Sequence, residues 1–188
     1  FDSSSTYKII YLFSSAQTFN VSYEVIGKDV PTIYQFVLQA ENKTQLHCHI
    51  DIKKEATLHL YQFLMYKKTN AFSLYNKISL AKSSNLFLHN MFALFGDFDY
   101  TLQTKLQAEN ANVKLQSVNI NHQDSKHSLA FIAEHNVGET TSEFKAYHIA
   151  KNGSQTYVKT NGVIKKGAKK SSAQHNTKGI IIDKKSYI

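Results

Sequence analysis

Three stretches of the chain repeat one short pattern: a small residue, a polar one, then an aliphatic–any–leucine run. They are Ala56-Thr57-Leu58-His59-Leu60, Ser84-Asn85-Leu86-Phe87-Leu88 and Ala111-Asn112-Val113-Lys114-Leu115. Their starts recur at a nearly constant interval, and each follows a polar bend: Lys53-Lys54-Glu55, Ala81-Lys82-Ser83 and Ala108-Glu109-Asn110. A weaker echo follows at Lys166-Gly167-Ala168-Lys169-Lys170-Ser171. Self-similarity at such a period is the signature of stacked repeats. A strand with one aliphatic face cannot bury it alone; the next coil laid on top covers the face and pairs the backbone. Two strands and two bends need roughly 20–30 residues at about 3.3 Å per strand residue, which the interval matches. The spacing therefore predicts an all-β chain coiled as a right-handed parallel β-helix. The alternative is an antiparallel β-sandwich, whose strands would recur at much shorter intervals.

Further strand-like runs lie between the repeats. Leu46, Cys48 and Ile50 alternate with His47, His49 and Asp51; Phe72, Leu74 and Ile78 form another run, and Ser128 to Ile132 and Phe144 to Ile149 continue the series. The best candidate for a helix, Ile33 to Ala40, reads equally well as a strand. Asn152-Gly153 and Asn161-Gly162 are turn signals. A single proline (Pro31), seven glycines and no tryptophan, with 12 Phe and 11 Tyr, agree with pleated half-buried surfaces. With 188 residues, 42% of them apolar, the chain suits one core-bearing domain over residues 1–188.

The net charge is +8 and every basic residue is lysine. Without arginine the planar fork that reads phosphates and guanine edges is missing, so no nucleic-acid partner is expected. The lysines come as pairs (Lys53-Lys54, Lys67-Lys68, Lys165-Lys166, Lys169-Lys170, Lys184-Lys185), as expected of solvated bends and protected edges. The lone Cys48 excludes an intramolecular disulfide and points to a reducing, cytoplasmic compartment. Ile9-Ile10-Tyr11-Leu12-Phe13 is too short for a signal core or a membrane span, so no membrane partner is expected. The absence of an initial methionine suggests a fragment.

Candidate chemistry is thin. His47-Cys48-His49 supplies metal-ligating types, but on a strand the two histidines face one way and the cysteine the other, so a metal would need a third ligand such as His59. Strand histidines and a buried cysteine are more commonly structural, and no metal site is assigned on them. His122, Asp124, Ser125, His127 and His135 include the residue types of a hydrolase triad without the strand–turn–helix elbow that presents a nucleophile. Asp97 and Asp99 would share a face if they lay on a strand, but Phe95-Gly96-Asp97-Phe98-Asp99-Tyr100 reads as a turn. No catalytic residue is assigned, no cofactor-binding residue is identified, and the chain is read as a non-enzyme.

The segment from His135 carries a resemblance. It runs His135-Asn136-Val137-Gly138-Glu139-Thr140-Thr141-Ser142-Glu143-Phe144, then Asn161-Gly162-Val163-Ile164, then Gly167-Ala168-Lys169-Lys170-Ser171-Ser172-Ala173-Gln174-His175-Asn176, and ends Gly179-Ile180-Ile181-Ile182. In order and spacing this resembles the SufB/SufD family of iron–sulfur cluster assembly proteins. The resemblance implies a β-helix core serving as a non-catalytic scaffold in a SufBCD-type complex. A SufB-like partner subunit, a SufC-like ABC ATPase and a nascent iron–sulfur cluster on the full complex are implied with it. The chain stops at Lys185-Ser186-Tyr187-Ile188, before the family's Cys-x-His segment and C-terminal helices, so it reads as a core fragment without cofactor of its own. An open last coil of this kind is expected to self-associate. The single cysteine and the Gly-Ala…Gln-x-Asn region lean towards the SufD branch. A carbohydrate-active or surface-binding β-helix is the alternative reading.

Overall fold

The computed structural model describes residues 5–13, 17–28, 30–39, 43–66 and 71–188. They form thirteen strands and no helix: β1 (Thr6–Leu12), β2 (Thr18–Val25), β3 (Thr32–Gln39), β4 (Thr44–Ile52), β5 (Thr57–Tyr66), β6 (Ala71–Leu80), β7 (Asn85–Leu94), β8 (Asp97–Leu106), β9 (Asn112–His122), β10 (Lys126–His135), β11 (Thr141–Lys151), β12 (Gln155–Ile164) and β13 (Ser172–Ile181). Odd-numbered strands make one seven-stranded sheet and even-numbered strands a six-stranded sheet, each in sequence order. Every pairing is parallel, so the chain is a β-solenoid of about six turns, two strands to a coil. This is the predicted β-helix, and the antiparallel sandwich is ruled out.

The repeat is visible as a side-chain ladder. Leu58 lies beside Leu86 and Leu86 beside Val113, all three buried. The coil lengthens along the rod, as the sequence step from Thr141 to its partner Ser172 exceeds that from Thr6 to its partner Thr32. At the bend before each odd strand from β5 onward a residue holds left-handed backbone: Glu55 (φ 63), Ser83 (φ 56), Asn110 (φ 59), Glu139 (φ 58) and Lys170 (φ 60). Hydrogen bonds between coils fix that geometry, from Ser83 N to Glu109 O (2.9 Å) and from Asn110 N to Glu139 O (3.0 Å). Just beyond, the chain passes so near the core that Ala56, Ser84, Ala111 and Thr140 are fully buried.

Of the two readings open for Ile33 to Ala40, the described residues follow the strand: β3 alternates inward Ile33, Gln35 and Val37 with outward Tyr34 and Phe36, a period of two. Three expectations are corrected. Asn161-Gly162 is no turn but lies inside β12, where a Cβ on Gly162 would sit 2.7 Å from Ala173 Cβ. Asp97 and Asp99 belong to β8, because the bend is finished by Gly96 (φ 145). The echo is displaced: the longer last bend puts Ser171, not Ala168, against Thr140, whose backbone N donates to Ser171 Oγ. Asn152-Gly153 is a turn, with both residues at positive φ (56 and 81). The lysine pairs at 53–54, 165–166, 169–170 and 184–185 sit at or beside bends, where Lys53 meets Glu24 (2.7 Å) and Lys170 meets Glu139 (3.1 Å). Lys67 and Lys68 lie outside the described residues.

Candidate functional site

The rod's interior changes chemistry along its length. In the first coils the inward side chains are Leu, Ile and Phe, crossed by one amide–phenol network. Gln62 Nε2 donates to Gln35 Oε1 (2.7 Å), Asn76 Nδ2 to Gln62 Oε1 (2.8 Å), and Asn90 Nδ2 to Tyr100 Oη (2.9 Å). These bonds tie the two sheets across the core. In the last coils the same ladders turn polar. Phe92 is followed by Asn119 and His148, Phe98 by His127, Leu106 by His135, and Val113 by Ser142.

Two polar clusters result. At one corner His135 is fully buried, with Nδ1 2.8 Å from Thr140 Oγ1 and Nε2 3.0 Å from Ser142 Oγ. Ser142 Oγ also lies 3.0 Å from His175 Nε2, and the His175 ring stacks on Phe144 at 4.1 Å. Burial holds His135 below the usual imidazole range; burial and then the neighbouring His135 do the same for His175. At the other end of the strands His127 Nδ1 lies 2.9 Å from Asn119 Oδ1, and His148 has no hydrogen-bond partner at either ring nitrogen among the described residues. Burial pushes both His127 and His148 down to about 4. These imidazoles are therefore neutral at pH 7, and the partners they do find are hydroxyls, an amide and a backbone carbonyl. They can accept or donate a hydrogen bond inside the rod; a paired acid and base is not assembled among them.

The residues singled out in the sequence are scattered. His47 and His49 point outward from β4 in the six-stranded sheet, His47 against Tyr75 (4.7 Å), whereas His59 points outward from β5 in the other sheet and stacks on Phe87 (4.7 Å). Cys48 faces the core, where burial pushes its thiol up to about 12. Among the described residues no group of three His, Cys, Asp or Glu converges in a way that could hold a metal. Ser125 Oγ bonds Asn121 Oδ1 and His122 O, while His127 turns inward, so Asp124, Ser125 and His127 form no relay. Asp97 and Asp99 do share the outer face of β8; burial and then Asp97 raise the Asp99 carboxyl, and Asp97 Oδ1 accepts from Lys126 N (2.8 Å). The interior polar ladder was missed as a feature. Its signal was present in the phase of the alternation, since His127 and His135 share parity with Leu129, Phe131 and Ala133.

At the last coil, β12 and β13 expose both faces. Ile180 (56% exposed), Ile182 (60%) and Tyr187 (62%) lie open there. Tyr187 begins a further parallel pairing on Gln155, with Thr156 N donating to Tyr187 O (2.9 Å).

This solenoid, with its His135-to-Ile182 segment occupying the end of β10 through β13, coincides with one family model. The model for the SUF system FeS cluster assembly, SufBD core domain, matches residues 3–188. The chain belongs to the SufB/SufD family. No curated protein matches it, and no solved structure does. As a SufBD core domain it takes part in iron–sulfur cluster assembly, in a family of assembly proteins that function with other Suf subunits. Among the described residues no helix is long and apolar enough to cross a membrane.

Proposed function

We propose that this SufBD core domain is part of a non-catalytic scaffold subunit of a SufBCD-type complex. In this reading it works in the cytoplasm beside a SufB-like partner and a SufC-like ABC ATPase. It carries no cofactor of its own, and the nascent iron–sulfur cluster is cargo of the assembled complex. The observation that carries the reading is the family match over residues 3–188. Two features support it. The rod is closed by parallel backbone ladders along its length, as a scaffold requires. Among the described residues no three His, Cys, Asp or Glu converge on a possible metal site, and Asp124, Ser125 and His127 form no relay.

The SufD-like branch is favoured by Cys48. It is the only cysteine, it is fully buried, and its thiol is held at about 12, so almost no thiolate exists at neutral pH to accept sulfur or bind iron. The test is anaerobic reconstitution of the full-length protein, alone and with a SufB-like partner and the ATPase, followed by iron and sulfide analysis. Cluster formed only in the complex is the expected result, and Cys48→Ser should leave it unchanged. A cluster on the isolated chain, lost in Cys48→Ser, overturns both the scaffold role and the branch.

A further inference from the structure

The two outer faces of the solenoid differ in a way the fold alone does not require. On the six-stranded sheet the outward residues are mostly polar, and acids balance bases: Glu24, Asp51, Asp97, Asp99 and Glu134 stand among Lys77, Lys105, Lys126 and Lys159. On the seven-stranded sheet the outward ladder Ile10, Phe36, Phe63, Met91, Val118 and Tyr147 crosses six strands without one charge. Tyr34, Tyr61 and His89 run beside it, and Met65, Ala93, Ile120, Ile149 and Ile180 continue the apolar surface. Strands that are apolar on both sides are the mark of a parallel sheet covered on both faces. Here the outer side is open: Met65 is 52% exposed, Tyr147 44% and Ile10 57%.

The charges on this face choose the occupant. Its outward lysines are Lys8, Lys114, Lys145, Lys151 and Lys178, and its one described outward acid, Glu143, is already paired with Lys145 at 2.6 Å. A second copy laid face to face would oppose cation to cation. Stacking on sugars or bases is disfavoured too, because the rings spend their faces on each other. Tyr34 stacks on Tyr61 at 4.9 Å, Tyr61 on His89 at 4.7 Å, and Phe36 on Phe63 at 5.1 Å, all within 18° of parallel. The sheet's backbone groups are consumed by its ladders, so whatever covers the face must satisfy its own backbone, as a helix does. Three depressions open there, each beside a lysine. One of about 290 Å³ lies between Val118, Tyr147 and Lys145; a second of about 290 Å³ joins Tyr147 to Lys178; a third lies between Ile120, Phe95 and Lys151.

We propose that the outer face of the seven-stranded sheet docks an acidic amphipathic helix of a partner protein. Its apolar stripe fills the depressions around Val118, Ile120 and Tyr147, and its flanking carboxylates meet Lys145, Lys151 and Lys178. This surface does not depend on the cluster-assembly reading. The probe is a fluorescein-labelled peptide of about 20 residues, roughly one strand length as a helix, with leucines at helical spacing and glutamates beside them. Its twin carries lysines in place of the glutamates. Anisotropy titration of the full chain should give saturable binding of the acidic peptide, weakened by salt, and at least about tenfold tighter than the basic twin. Val118→Asp and Lys145→Glu should each weaken it about tenfold at unchanged folding stability, while Lys77→Glu on the opposite sheet leaves it alone. Equal binding of the two peptides, no saturation, or an equal loss with Lys77→Glu overturns the proposal. So does concentration-dependent dimerisation abolished by Val118→Asp, which assigns the face to a second copy. Binding only to phosphatidylserine vesicles, lost in Lys145→Glu, assigns it to an anionic membrane and overturns it equally.

Discussion

Acidification should unfold this protein through histidines that it holds neutral in its core. His127 and His148 are both fully buried, and burial keeps each at about 4 in the folded chain, against about 6.5 for a free imidazole. The sign follows from which state takes the proton. Above about pH 6.5 both states are neutral at these sites and stability is flat. Between about 6.5 and 4 the unfolded chain binds protons that the folded chain refuses, so stability falls as pH falls. Below about 4 the loss levels off, at roughly 3 kcal/mol for each histidine. The pair together would cost an amount comparable with the whole stability of an ordinary domain, about 5–15 kcal/mol. Two protons also set the slope, about 2.3 kcal/mol per pH unit between pH 6 and 5. His135 and His175, also held low by burial, steepen it, while Asp99, held high by burial and then by Asp97, works the other way from the outer face of β8. Urea denaturation followed by circular dichroism from about pH 7.5 to about pH 4.5 reads the slope directly. His148→Leu is the internal control: His148 has no hydrogen bond to lose among the described residues, so the variant should keep its stability at neutral pH and shed one proton from the slope. A midpoint that does not move between about pH 7 and pH 5 refutes the neutral buried pair.

Other consequences are simpler to read. Leu86→Ala removes the middle rung of the Leu58–Leu86–Val113 ladder and should lower unfolding free energy by about 2–5 kcal/mol, with a small change counting against the register. Tyr100→Phe deletes the hydroxyl that accepts from Asn76 (3.1 Å) and Asn90 (2.9 Å), and should cost about 1–3 kcal/mol by denaturant titration because two buried amides lose a partner. Gly138→Ala would set a Cβ 2.5 Å from Lys169 O, so a lower melting temperature is expected, and an unchanged one would show that this bend yields.

The coil was legible in the sequence because its rungs repeat the same residue types at nearly constant spacing. Leu58, Leu86 and Val113 announce one ladder, and the small residues Ala56, Ser84 and Ala111 announce the corner that precedes it. Legibility failed where the coil lengthened. The last bend holds extra residues, so the motif at Gly167-Ala168 fell out of step with the buried column that Ser171 joins. Asn161-Gly162 misled for a different reason: the glycine answers a close approach by Ala173, not a reversal of the chain. The candidate ligands His47, His49 and His59 could not be placed relative to one another from spacing, because consecutive strands of the chain alternate between sheets and residues close in sequence can face opposite ways. The interior histidines were hidden by a habit of reading polar residues as outward. In β10 the sequence keeps strict alternation, and His127 and His135 occupy its inward phase.

That inward phase sets the last coils apart from the first. A leucine ladder would have stabilised the last coils as it does the first, with no desolvation of polar groups. Instead Ser142, His135 and His148 stand on rungs occupied by Val113, Leu106 and, two coils earlier, Phe92. Each buried imidazole forgoes hydration; His135 recovers hydrogen bonds to hydroxyls at both ring nitrogens, whereas neutral His127, facing the acceptors Asn119 Oδ1 and Gly96 O, has one proton to donate. The network that does form, from His135 through Ser142 to His175, ends on β13, the outermost strand of its sheet. Its bonds have a fixed direction, unlike the contacts of a leucine ladder, so they constrain how β13 sits on β11. Ser142→Ala tests this. It leaves His135 and His175 without their shared hydroxyl and should cost about 1–3 kcal/mol of unfolding free energy by denaturant titration. A variant as stable as the parent would show that the hydroxyl adds nothing to the seating of β13, and that burial alone holds the two imidazoles in place.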